Sequence, residues 1–402
     1  MRKKVNNLVL MICLLAVTLT APGCYDIREL DRISIVTGVA LDKAEQPGMI
    51  ELTVQIGKAA SLGGQEGGGN SPEEKPTQLI DAVAPSVMGA LDSLRRDNSR
   101  TLFLHHNQVV IIGKEQAEAG ITPYIDGFIR ENETRLEVWL LIAEGKGKDV
   151  LNTEMELDKI SAVGISQMIE NKMDLSKSLG INLLTFLSKI SDQTTSSVIP
   201  MIRSIKEDDQ TRLSLSNLAV IKNEKMIGVI PEEQTLGYAW VVGGVNGGTL
   251  KVNTDEGLSE LKITESNSKL QPVFDKNGKL KMKLQIKGSF VISELIGFYG
   301  MGINQISELL IEGAVNSLKR QITSCYATAQ RLKSDIFGFG MHIHRFYPGK
   351  WKSFKNDWDN IFSSLELVTD IQVEIEDPGL ASNSPGMEKN KIIPFKPERT
   401  RS

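Results

Sequence analysis

Cys24 is the residue whose type and position suggest a definite chemistry. It closes the run Ala21-Pro22-Gly23-Cys24, small residues that directly follow an apolar stretch. A thiol so placed suits a bacterial lipoprotein signal, in which a short lipobox ends on a cysteine that takes a diacylglyceryl group on sulfur. Cleavage then leaves that cysteine as the new N-terminus, open to a further acyl chain on its amine. Two chains on one thioether hold a protein to a membrane stably, where a single chain is marginal. The box departs from the usual pattern at two places. Ala21 stands three residues before the cysteine, where Leu is usual, and Pro22 is uncommon. Ala21 and Gly23 would equally suit an ordinary signal peptidase, which would release a soluble protein. Upstream, Arg2, Lys3 and Lys4 precede an apolar run from Val9 to Leu19. That run is too short for a ~20-residue membrane-spanning helix and fits the core of a signal peptide over residues 1–23.

Other reactive residues form no constellation. No phosphate-binding loop, dinucleotide fingerprint, nucleophile elbow, H-E-x-x-H or C-x-x-C is present. The four histidines come as His105-His106 and His342-x-His344. The second pair would share a face if extended, but a metal site needs a further ligand and none is near in sequence. Both pairs therefore read as surface or half-buried residues, and no metal or cofactor is expected. Asp208-Asp209 and Glu232-Glu233 read as solvated turns, and Trp351, Phe354, Trp358 and Phe362 as the core face of a helix. Cys13 falls within the signal, and Cys325 reads as a small buried apolar residue. No nucleophile–base pair is visible, so no enzyme is expected.

Composition excludes more. Lys plus Arg number 46 against 50 Asp plus Glu, a net charge of −4. That balance leaves no basic excess for phosphate backbones, and 5% aromatics are few for base stacking, so nucleic acid is not a partner. The 402 residues suffice for about two or three domains.

Patterning along the chain predicts an α+β fold. Ile33, Ile35, Thr37, Val39 and Leu41 alternate, as do Ile50, Leu52, Val54 and Ile56, predicting a hairpin with one buried face. The Gly-, Ser- and Glu-rich stretch Ser61 to Pro76 predicts a mobile loop. Leu79, Val83, Val87 and Leu91 recur every four residues, predicting a helix over Thr77 to Arg95. Strands are expected at 109–112, 136–142 and 198–205, with helices over 115–132, 150–173 and 179–190 between them. Glu207-Asp208-Asp209-Gln210 reads as the boundary between an N-terminal domain, 24–206, and a C-terminal domain, 211–379, with a division of the latter near 265 left open. Strands over 213–221 and 226–230, then 257–264 and 279–295, open the second half. Ile311, Val315, Leu318, Ile322, Cys325, Ala329, Leu332 and Ile336 form one seam on a long amphipathic helix, predicted to pack across the C-terminal sheet. A strand over 367–375 closes it, and residues 380–402 read as a flexible tail.

Several of these segments also resemble, in order, a known family. Cys24-Tyr25-Asp26-Ile27-Arg28-Glu29-Leu30, then Ile35-Val36-Thr37-Gly38-Val39-Ala40-Leu41-Asp42, resembles the opening of the Ger(x)C spore germination lipoproteins, with Tyr25 where members carry Trp. His106 to Glu115 with Ala119-Gly120-Ile121, Leu140 to Lys146, Lys333 to Gly340, and Trp351-Lys352 with Trp358 continue the likeness through Gly379. The resemblance implies a multidomain mixed α/β lipoprotein with no enzymatic role, the C subunit of a nutrient germinant receptor. It implies attachment through lipid on Cys24 to the outer face of the spore inner membrane. It further implies partnership with integral-membrane A and B subunits, the complex together sensing nutrient germinants. The rival expectation is a solute-binding lipoprotein delivering a ligand to a transporter, whose two repeated βαβ lobes are not seen in the patterning.

Overall fold

The computed structural model describes residues 32–58, 75–131, 133–155, 157–174, 179–190, 196–207, 210–276 and 278–376, with Asn7 and Met11. Cys24, the tail beyond 376 and the Ser61–Pro76 stretch apart from its last two residues lie outside them.

Two mixed sheets carry the architecture. In the first, β1 (Ile33–Lys43), β5 (Val109–Gly113), β6 (Trp139–Ala143) and β7 (Ser197–Glu207) run parallel, with the short β4 (Thr101–Phe103) also against β1. Antiparallel strands flank them: β2 (Ile50–Gly57) and β3 (Thr77–Ala84) on one side, β8 (Gln210–Lys222) and β9 (Lys225–Ile230) on the other. The second sheet orders β10 (Thr249–Asn253), β11 (Gly257–Phe274), β12 (Leu280–Gly297) and β13 (Glu366–Ile375), antiparallel except for the parallel β12–β13 pair.

The central strands are apolar at consecutive positions because both faces of the first sheet are covered. Val110, Ile112, Leu140 and Ile142 face one core, shared with α1 (Val87–Asp97), α3 (Thr122–Arg130) and α6 (Leu183–Ile190). Val109, Ile111, Leu141 and Ala143 face the other, under α4 (Gly147–Leu151) and α5 (Ser161–Asp174). The β1–β2 hairpin forms as predicted but is not buried on one face alone. A bulge between Val36 and Gly38 also switches the parity of β1, so Val36 shares a core with Val39 and Leu41.

The helix predicted over Thr77 to Arg95 is a strand followed by a helix. Spacing of four fits the strand period as well as the helical one. Pro85 separates the two elements, and Ser86 caps α1 by accepting from the Gly89 N–H at 3.1 Å. The helical pattern over 115–132 divides at Gly120 into α2 (Lys114–Ala119) and α3, with Pro123 in the first turn of α3. Between 207 and 210 the first sheet does not end: Glu207 pairs with Gln210 and β8 and β9 extend the same sheet. Position 265 lies at a bulge within the continuous β11.

The long helix α8 (Ile303–Arg331) packs on the second sheet, and its core runs on to Val198, Leu218 and Val220 of the first. Except at the half-buried Leu332, the predicted seam is buried from Leu318 onward. Before it, Ile306, Leu310 and Ala314 are buried in place of Ile311 and Val315. Helix α7 (Thr235–Val242), apolar on nearly all sides, crosses α8 at Gly237, where a Cβ would collide with the Gln321 backbone oxygen. Gly237→Ala is therefore expected to lower stability by about 1–3 kcal/mol through overpacking against backbone that cannot rotate away. Urea unfolding of the two proteins checks this; an unchanged midpoint would refute the close approach.

Candidate functional site

The histidine pairs do not assemble a site. His105 and His106 occupy an exposed turn, where the His105 ring stacks on Phe103 at 4.7 Å. His342 and His344 lie on helix α9 (Phe339–Phe346), not on a strand, so positions two apart point in divergent directions. Among the described residues no group of three or more His, Cys, Asp or Glu is placed to hold a metal. Trp351, Trp358 and Phe362 are core residues, carried on α10 (Pro348–Phe354) and α11 (Trp358–Ser363). A 3₁₀ turn, 355–357, separates these two short helices within the predicted single helix.

What the chain does build is a buried carboxylate where its two halves meet. Asp335 is 3% exposed and lies four residues beyond the end of α8. Its Oδ1 accepts the backbone N–H groups of Phe337 and Phe339 at 3.2 and 3.0 Å. Its Oδ2 accepts from Gly340 N–H at 2.7 Å and from Trp358 Nε1 at 3.1 Å. Four donors thus converge on one side chain. A short acidic side chain followed by a chain reversal is suited to this, because it can accept from its own backbone two to five residues on. Lys333 (φ 48°) and Gly338 (φ 77°) supply the left-handed backbone that folds the segment around it. Burial pushes the Asp335 carboxyl up to about 6, against the opposing pull of its N–H donors.

The same segment ties the halves together. The Ser334 hydroxyl donates to the Ser196 hydroxyl at 2.8 Å, and Ser196 N–H donates to the Asp335 carbonyl at 2.9 Å, beside the start of β7. Lys222, at the end of β8, donates to the Lys333 carbonyl and pairs with Asp359 at 2.7 Å. A cleft of about 630 Å³ opens beside this seam, lined by Ser197, Asn223, Glu224, Lys355 and Asp357 among others. Its charges are of both signs, and no histidine reaches its hydroxyls. The arrangement can hold a junction rigid; it offers no nucleophile with an adjacent base.

A second carboxylate orders the parallel strands. Asp42, at the end of β1, accepts from the N–H groups of Gly147 and Lys148 at 2.8 and 2.9 Å. Gly113 must lack a side chain there, since a Cβ would collide with the Asp42 carboxylate. Lys148 Nζ bonds Glu51 and Asp81 at 2.8 and 2.9 Å, fastening α4 over β2 and β3. The family-like segments ending at Asp42, Glu115 and Lys146 therefore lie side by side on β1, β5 and β6 and beyond their ends. Their shared task is architectural. The roles of Asp335, Ser196 and Trp358 escape sequence reasoning, which sees Asp335 only as part of a family pattern. The available signal was an acidic residue just ahead of Gly338 and Gly340.

Residues 26–204 match the model for the spore germination protein N-terminal domain, and residues 216–379 that for the spore germination B3/GerAC-like C-terminal domain. The chain is 26% identical to spore germination protein YndF of Bacillus subtilis (strain 168), over 91% of this chain and 95% of the relative. It is 24% identical to spore germination protein A3 of the same organism, over 92% and 97%. Spore germination protein KC, also from that organism, is 22% identical over 94% and 98%. The crystal structure of the GerBC protein shares the fold, with a TM-score of 0.51 at 18% identity, covering 88% of this chain and all of that one.

Proposed function

The chain belongs to the GerAC-like family of spore germination proteins, and from that membership we infer that it is the membrane-anchored C subunit of a nutrient germinant receptor. The observation that carries this is the tandem match of both family domains, in order, from residue 26 to residue 379. In this reading Cys24 carries the lipid, and the match begins two residues beyond it. Integral-membrane A and B subunits are its partners at the spore inner membrane, on the extracytoplasmic face. Residues 24–206 and 211–379 act as its two domains, after a signal peptide over 1–23 and ahead of the tail at 380–402. The chain works by binding rather than by chemistry, stabilising the receptor and coupling nutrient recognition to its opening.

Physical features support the reading. No helix among the described residues is long and apolar enough to cross a membrane, so attachment by lipid on Cys24 supplies what these helices do not. A tethered protein also meets integral partners at raised effective concentration without new contacts. The two halves share core and hydrogen bonds at the Asp335 seam, which suits a body that transmits contacts between partners. Affinity purification of the tagged chain from spore membranes is expected to recover A- and B-type receptor subunits, identified by mass spectrometry. Deletion is expected to abolish germination on one nutrient set and spare others. Purification without any such subunit, together with unchanged germination in a strain lacking paralogues, would sink the assignment.

A further inference from the structure

We propose that the cleft between α6, α7, β11 and the segment 336–342 binds a small monocarboxylate with an apolar body. The cleft measures about 640 Å³, within the range of small-ligand sites. Its walls are apolar, with Leu184, Val241, Val242, Leu270, Phe337 and Met341 among them. Leu184, Val242 and Met341 remain 51%, 39% and 44% exposed, so apolar surface is left open to a ligand.

Besides the hydroxyls of Thr185, Ser188 and Ser268, its polar groups are those of Lys189, Tyr238 and His342. Lys189 donates to the Tyr238 hydroxyl oxygen at 3.3 Å and has no carboxylate partner among the described residues. That contact leaves the Tyr238 proton free to be donated to a ligand. His342 Nδ1 is buried without a hydrogen-bond partner. An ammonium with no described counter-ion, beside a free phenolic proton, is complementary to an anionic oxygen group. No Asp or Glu is among the described residues that line the cleft. A ligand's own ammonium would therefore lie there desolvated and unpaired, which is costly. The charge pattern selects carboxylates over amines and over zwitterionic amino acids carrying the same side group. The site goes beyond receptor membership and does not depend on it, since it is a property of the isolated chain.

The test is calorimetric titration of the purified full chain with 4-phenylbutanoate, octanoate, 4-phenylbutylamine and L-phenylalanine. Saturable one-to-one binding of at least one carboxylate is expected, with the amine and the amino acid at least tenfold weaker. Lys189→Met is expected to weaken carboxylate binding at least tenfold. Met341→Glu, at an exposed position on the rim, is expected to weaken it similarly by repulsion without disturbing the core. Absence of saturable carboxylate binding, equal binding of the amine, or unchanged affinity in a folded variant overturns the proposal. Receptor co-purification is read separately, so failure here leaves the subunit assignment standing.

Discussion

Asp335→Ala is expected to destabilise the protein by about 3–5 kcal/mol, because it strips the acceptor from four buried N–H groups at once. Three of these donors are backbone amides that cannot turn away, and the fourth is the indole of the buried Trp358. Asp335→Asn keeps one acceptor oxygen and removes the buried charge, so its cost should be less than half as large. Ser334→Ala removes one hydroxyl contact to Ser196 and should cost about 1 kcal/mol. The ordering matters more than any single value. Urea unfolding at pH 7 checks it, and an alanine variant within 1 kcal/mol of the parent would refute the role assigned to this side chain. The pH dependence follows from the raised carboxyl. Its folded value of about 6 lies above the ordinary 3.8, so between these values the folded state keeps a proton that the unfolded state has lost. The proton-linked part of its contribution to stability is then fullest below pH 4 and is lost as pH rises through 6. The gap between parent and Asp335→Ala should accordingly narrow from pH 4 to pH 6.5. A gap that widens over that range would mean that the four donors outweigh burial.

The consequence of Asp335→Ala reaches both clefts. Asp335 lines the polar one, while Ile336, Phe337 and Gly338, folded around it, line the apolar one. A variant that relaxes this segment should alter both sides of the junction between the halves. A single buried carboxylate thus sets the relative position of surfaces contributed by β7, α6, α7 and α11.

Much of this fold is legible in the sequence where one periodicity is unambiguous. The strands near 33–41, 50–56, 109–112 and 367–375 are read correctly, because β-branched runs between turn residues leave one choice. The β8–β9 hairpin is read from Asn223-Glu224-Lys225, and the structure shows why: Asn223 and Glu224 both take positive φ. Failures arise where two readings fit the same residues. Leu79 and Val83 satisfy periods of both two and nearly four, so β3 is mistaken for helix. In α8, residues 306–317 offer two adjacent apolar stripes. The sheet takes the one through Ala314 and Ser317, both of them buried, and leaves Ile311 and Val315 half-buried. Helix α7 has no polar face and so no moment to detect. Asp335 is missed for another reason: the donors that define it come from backbone, and Trp358 lies 23 residues away.

Cys24→Ser is expected to move the protein from the membrane into the soluble fraction, with at least a tenfold fall in the membrane-bound share. The argument rests on what else could hold it. In the proposed reading Arg2, Lys3 and Lys4 leave with the signal, which would take the net charge from −4 to −7, so that anionic lipid headgroups repel the remainder. No helix among the described residues can span the bilayer. Each buried methylene of an acyl chain contributes about 0.8 kcal/mol, and two chains together give attachment that one chain does not. Loss of the sulfur removes both at once, because serine offers no thiol for the transfer. Detergent-phase partitioning of spore membranes, before and after an alkaline carbonate wash, separates the possible holders. Partition of the serine variant into the detergent phase after the wash would refute lipid on Cys24. Retention before the wash and release after it would instead assign the residual attachment to protein partners, consistent with a subunit that docks on integral components as well as on lipid.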